Sequence, residues 1–346
     1  MTGIPRLSVF FFSSADTGPV PDRYESILTT TALAERLGFE AVWIPERHFH
    51  PFGGLFPNPA VLAAALAART SRIAIRAGSV VLPLHHVARV AEEWALVDSL
   101  SNGRIGLSLA SGWNRGDFVL GQCDFDDRRE HLLDTIDTLR ALWRGEEVRF
   151  PVGDRPERVR TYPVPLQPAV PLWLTATSGS ATFREAGRRG CNVLTAYLQQ
   201  RTDQLVENIG IYREAYSARE PGCAPHVTLM VHTCVAATTR EAMAAVEEPL
   251  LAYQSQFLDL ADRPHSGGEE ALTEEEKSTL ARYAARKYAT ERGLVGDPAA
   301  VLDRLHHLAG IGVDEVACLV DFGLRPDQVT ETLVRLAELA VRPVSR

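Results

Sequence analysis

At 346 residues, with 45% hydrophobic and 23% charged positions, the chain has the composition of an ordinary globular protein with ample core. Its formal net charge of −8 and pI near 5.7 argue against a broad surface for the phosphate backbone of DNA or RNA. No apolar run approaches the roughly 20 residues of a membrane helix, and residues 7–12 are too short an apolar stretch for a signal peptide.

In chain order, short apolar runs alternate with helical patterns. A first strand is expected at residues 7–12, a second at 41–44 and a third at 73–77. Residues 86–100 then place Val87, Val90, Ala91, Trp94 and Val97 on one helical stripe. After a fourth strand at 105–110, residues 130–143 align Leu132, Ile136, Leu139 and Trp143 in the same way. Strands at 172–175, 192–195, 227–235 and 316–320 complete the set, with helical stripes at Leu205–Tyr216 and Val329–Ala340. The runs are continuous rather than alternating, as parallel strands buried on both faces require. The pattern predicts one α/β domain, a (β/α)₈ TIM barrel, and an open doubly wound sheet would share the same alternation.

Two stretches interrupt it. Residues 146–168 carry Val148, Phe150, Val152 and Val159 among prolines and read as a small hairpin excursion. Residues 262–297 are long, polar and glycine-bearing, either a solvated surface insertion or a lid. Cysteines 123, 191, 223, 234 and 318 show no CxxC or zinc-finger spacing, and read as reduced thiols of a cytosolic protein.

A barrel of this kind builds its site just beyond the C-terminal ends of its strands. Four such stretches stand out: residues 44–54, 78–86, 110–118 and 176–182. In the last, Thr177, Ser178 and Gly179 precede a helix expected at about 181–189, so free backbone N–H groups and a positive dipole end would cradle a phosphate. A plain Ser/Thr helix cap is the simpler use of such residues. His48, His50, His85 and His86 gather at one end without the spacing or carboxylates of a hydrolytic metal site. Proton transfer beside a cofactor suits His48 better, while His50, His85, His226, His306 and His307 read as hydrogen-bonded structural residues. No GxGxxG follows a strand, so a nicotinamide site is not expected.

Taken together these blocks resemble the luciferase-like flavin monooxygenases. The resemblance rests on Trp43-Ile44-Pro45-Glu46-Arg47-His48-Phe49, Asn58-Pro59-Ala60, Val81-Leu82-Pro83-Leu84-His85, Leu100-Ser101-Asn102-Gly103-Arg104, Ser111-Gly112-Trp113-Asn114, Val295-Gly296-Asp297-Pro298 and Asp321-Phe322-Gly323, in this order. Residues 170–175, 192–195 and 227–233 look most like the members found in natural-product biosynthesis, beside assembly lines.

The resemblance implies a homodimeric enzyme that takes reduced FMN from a separate flavin reductase and uses O₂ to oxygenate an organic substrate, free or tethered to a carrier protein. It implies that Thr177, Ser178 and Gly179 hold the FMN phosphate, with either Arg128 or Arg129 facing it. By the same resemblance Gly78-Ser79 lies under the flavin ring, joined by a cis peptide, and Ser111, Trp113 and Asn114 line the cofactor. His48 is then the proton-handling residue with Arg47 as its electrostatic partner. Three positions depart from luciferase itself: Arg47 stands where it has its catalytic histidine, Ala110 where it has a reactive cysteine, and Ser111 where it has an arginine. A deazaflavin-dependent oxidoreductase, a non-catalytic flavin-binding protein and a metal-dependent barrel hydrolase are the alternative readings. Arg282, Arg286 and Lys287, at near-helical spacing, could offer a carrier domain a basic patch.

Overall fold

The computed structural model describes residues 3–14, 20–197, 200–218, 224–261 and 272–340. Eight parallel strands close into a barrel: β1 (Arg6–Phe10), β2 (Ala41–Ile44), β3 (Ala74–Val81), β4 (Ile105–Ala110), β7 (Leu172–Ala176), β8 (Asn192–Ala196), β9 (Val227–Val235) and β11 (Glu315–Leu319). Closure comes from β1 pairing with both β2 and β11, and β9 with both β8 and β11. The expected strands are all present. β3 runs four residues further than its apolar run suggests, so Gly78 and Ser79 lie inside the strand, at a register shift against β4, rather than beyond its end.

The two excursions differ in kind. β5 (Val148–Val152) and β6 (Arg155–Val159) form the expected antiparallel hairpin. Buried Asp98 fastens the chain that follows it, accepting from the backbone N–H groups of Leu166 and Gln167 at 2.7 and 3.0 Å and from Gln167 Nε2 at 2.8 Å. In the second, α8 (Glu274–Lys287) starts at a capping box made by Thr273 and Glu276 and ends in a π-turn, Tyr288–Arg292. A three-residue strand, β10 (Leu294–Gly296), then extends the edge of β9. The patch residues Arg282 and Arg286 are solvent-exposed on α8, and Lys287 lies over the Tyr283 ring.

The outer helices bury one face each, as the stripe of α3 (Val87–Ser101) illustrates: Val87, Val90, Ala91, Trp94 and Val97 are all buried. Inside, alternate residues of each strand fill the barrel. Its N-terminal floor is a charged cluster. Glu315, fully buried, accepts from Arg76 Nη1 at 2.7 Å, Ser8 Oγ at 2.6 Å, Trp43 Nε1 at 3.0 Å and His226 Nε2 at 3.0 Å. Arg76 lies against both the Trp43 and Trp173 rings, which meet each other edge to face. Gly106 makes room for this, since a Cβ there would lie 2.8 Å from the Trp173 ring. Among the described residues no helix is long and apolar enough to cross a membrane, and Cys223 lies outside them.

Candidate active site

The strand tops of β2 and β3 bring Glu46, His48 and His85 together. The side chain of Glu46 is buried, and its Oε1 meets His48 Nε2 at 2.8 Å and His85 Nε2 at 2.6 Å. Its other oxygen accepts the Val81 N–H at 2.7 Å, which ties the cluster to the end of β3. Burial works to raise the Glu46 carboxyl, but hydrogen bonds from His48 and then His85 outweigh it and hold the group below the usual carboxylate range. His85 moves the other way: burial acts to lower it, and the hydrogen bond and charge of Glu46 raise it above an ordinary histidine. His85, expected to be structural, is therefore half of a carboxylate-bridged histidine pair.

Arg47 points elsewhere. It is buried and paired with Asp117, in the 3₁₀ turn Arg115–Leu120 beyond β4, and lies 5.3 Å from the Trp113 ring centroid. Glu46 hydrogen-bonds His48, and Arg47 joins the β2 loop to the β4 loop. Burial raises the Asp117 carboxyl, which the Arg47 charge offsets only in part. Of the other residues there, Ser111 is half-buried and Trp113 is 49% exposed, its ring against Phe257. Asn114 spends its side-chain oxygen as a cap on Gly116 N–H, a structural duty the sequence reading did not assign.

The Gly78–Ser79 peptide is cis, as the resemblance implies. Ser79 is buried, and its hydroxyl bonds that of Thr175, which also meets Ser108 Oγ at 2.7 Å. This hydroxyl chain links β3, β4 and β7 across the barrel interior. At the top of β7, Thr177 and Gly179 are exposed and Ser178 half-buried. The helix α5 (Ser180–Arg189) follows, with Gly179 at its N-cap and no side chain capping it. A Cβ on Gly179 would meet nothing within 4 Å, so there is open space beside the start of α5, whose Thr182 N–H is taken by the Gly179 carbonyl at 3.2 Å. The carbonyl of Ser178 is held from below by Gln204 Nε2 at 3.1 Å and Asn208 Nδ2 at 3.3 Å, which fixes the turn. This uncapped, hydroxyl-bearing terminus fits a phosphate group. Arg128, at the start of α4 (Arg128–Trp143), donates to the Gly112 carbonyl at 3.2 Å and the Phe125 carbonyl at 2.6 Å and lies over the Phe125 ring, whereas Arg129 is exposed.

The Glu46–His48–His85 cluster and the uncapped start of α5 thus both lie at the strand tops, the end at which parallel α/β barrels place their active sites. The chain matches the family model for luciferase-like monooxygenases over residues 6–315 and belongs to that family. It is 25% identical to the oxygenase component of a flavin-dependent trigonelline monooxygenase from Acinetobacter baylyi, over 90% of this chain and 88% of that one. In fold it is similar to the monooxygenase RslO1 from Streptomyces bottropensis (TM-score 0.77, 21% identity, 96% of this chain and 98% of that chain). It is also similar to the oxygenating constituent of 3,6-diketocamphane monooxygenase from Pseudomonas putida, solved with FMN (TM-score 0.74, 16% identity, 97% of each chain). The fold is shared as well with an F420-dependent secondary alcohol dehydrogenase (TM-score 0.74, 16% identity, 98% of this chain and 100% of that chain).

Proposed function

We propose that this protein is the oxygenase half of a two-component system, using reduced FMN from a separate reductase and O₂ to oxygenate an organic substrate of natural-product metabolism. The observation that carries this reading is the uncapped N-terminus of α5, a phosphate cradle, on the same rim as the Glu46-bridged histidines. Bound there, reduced FMN would supply the reaction with O₂. Thr177, Ser178 and the α5 N–H groups would hold its phosphate, with Arg128 rather than Arg129 as the nearby cation, and Gly78, Ser79, Ser111, Trp113 and Asn114 would hold its ring. Glu46 keeps a proton on His85 and orients His48, so that a proton is held ready at an imidazole nitrogen. The Arg47–Asp117 pair, roofed by Trp113, closes that side of the mouth to water.

Product should form from O₂ only when FMN and an added flavin reductase are both present, and the lone protein should not consume NADH above the free-flavin background. Steady NADH oxidation by the lone protein would sink the two-component reading. Arg128→Ala should weaken reduced FMN binding about tenfold, the scale of one charge-assisted contact, and Arg129→Ala should leave it unchanged.

The likeness to an F420-dependent dehydrogenase favours a second reading, hydride transfer with a deazaflavin. Titration decides between them, since tight deazaflavin binding without reduced FMN binding selects the dehydrogenase. The exposed Arg282 and Arg286 support delivery of the substrate on an acidic carrier protein. Equal turnover of the free acid and the carrier thioester would remove the carrier.

A further inference from the structure

His232 is a buried side chain to which the arrangement above gives no task. It lies on β9 at the same parity as Thr228, which accepts from Trp173 inside the barrel, and it is 1% exposed. Three rings box it edge-on: Tyr253 of α7 (Thr239–Ala261), Tyr288 of the π-turn and Phe322 beyond β11, at centroid distances of 4.7, 4.8 and 5.1 Å. Neither ring nitrogen has a hydrogen-bond partner among the described residues. An imidazole in an aromatic box suffers the full desolvation penalty of both nitrogens, and a phenyl ring would fill the same space without it. Packing therefore does not account for a histidine here, whereas a polar ligand group does. Burial also pushes the ring's pKa down to about 3, so near neutral pH it offers one donor and one acceptor but no charge.

Two of the boxing rings, Tyr253 and Phe322, also wall a cavity of about 250 Å³ between α7 and the ends of β1 and β11. Phe52 adds a third ring to its wall, the Asp321 carboxylate beside it is taken up by the Phe12 and Ser13 N–H groups at 2.7 and 3.0 Å, and the half-buried Arg23 and exposed Glu248 complete the lining. From Phe52 the aromatic surface continues through Phe257 to Trp113, beside Arg47. We propose that this cavity, with His232 behind its aromatic wall, receives the organic substrate, a neutral ring-bearing molecule whose carbonyl or hydroxyl group hydrogen-bonds His232 once Tyr253 or Phe322 turns aside. The inference rests on the oxygenase reading only in calling that molecule the substrate.

Equilibrium dialysis with naphthol and naphthoate tests it, since the two share a ring and differ in charge. Naphthol should bind at least about tenfold more tightly than naphthoate, and His232→Phe should erase that advantage. The variant should keep its affinity for reduced FMN and melt no lower than wild type, because it removes an unsatisfied polar group. Equal binding of naphthoate, or unchanged naphthol binding by His232→Phe, overturns the proposal. Should the phenylalanine variant fail to fold, Ala252→Trp decides from the exposed edge of the same cavity. Loss of naphthol binding with reduced FMN binding intact supports the site, and unaltered naphthol binding rejects it. A wild-type protein that binds naphthol through His232 but not reduced FMN refutes the flavin reading and leaves this site standing.

Discussion

Glu46 and His85 are 39 residues apart in the chain and 2.6 Å apart in space. Each moves the other's titration, and the pH dependence follows from the directions. The Glu46 carboxyl is lowered, so its contribution to stability is present above its unfolded value, about 4.3, and fades as pH falls through the depressed folded value. His85 is raised, so its contribution is present below about 6.5 and fades as pH climbs through the elevated folded value. Melting temperature should therefore be highest between the two limits. Glu46→Gln should flatten both edges and lower stability by roughly 1–3 kcal/mol, together with oxygenation rate. A melting-versus-pH curve identical to wild type would show that the cluster carries no charge. His48 drew attention in the sequence by its place just past the second strand and by the family resemblance. The role of His85 was not legible, because only the pairing of β2 with β3 makes it a neighbour, and the Arg47–Asp117 pair spans 70 residues for the same reason.

Among the elements, α5 offers the cleanest test of the phosphate cradle. Proline is tolerated at the first position of a helix, and Gly179 ahead of it is extended, as a residue before proline should be. Ser180→Pro should therefore leave the fold and melting temperature alone while deleting one backbone N–H. FMN affinity is expected to fall about fivefold and riboflavin affinity to stay put, since riboflavin has no phosphate. Equal weakening of both ligands would place the phosphate elsewhere. The hairpin excursion depends on Asp98, and Asp98→Ala should lower stability by about 2–3 kcal/mol in denaturant unfolding, because three donors lose their acceptor. The barrel strands were readable because each is a continuous β-branched or apolar run. β10, with three residues, is too short to leave a periodic trace, and β3 was cut short at Gly78 because glycine and serine carry no strand signal.

At the scale of the whole molecule, charge is buried at both ends of the barrel to different effect. The floor glutamate, Glu315, is held near 2: burial acts to raise it, and Arg76 and His226 outweigh that. Its contribution is present above about 4.3 and disappears as pH drops through about 2, so the acid limb of unfolding should report on it. Glu315→Ala leaves buried Arg76 only its longer contact to the partly exposed Glu40, at 3.5 Å, and should lower stability by roughly 3 kcal/mol, read from denaturant midpoints, with little change in the affinity for reduced FMN. A loss below 1 kcal/mol would mean that the Trp43 and Trp173 rings against Arg76 suffice.

The Glu315 cluster closes the N-terminal end of the barrel, while the strand-top residues face the other way. Substitutions that retune the rim therefore fall on different residues from those that lock the strands together. A lineage can then exchange its strand-top loops for new chemistries and still inherit a barrel that closes, and the same partition favours directed evolution. A library randomised at the exposed rim residues Pro51, Trp113, Arg115, Val119 and Leu120 should retain a high fraction of folded members, whereas one of equal size at Ser8, Trp43, Arg76, Trp173 and Glu315 should yield few.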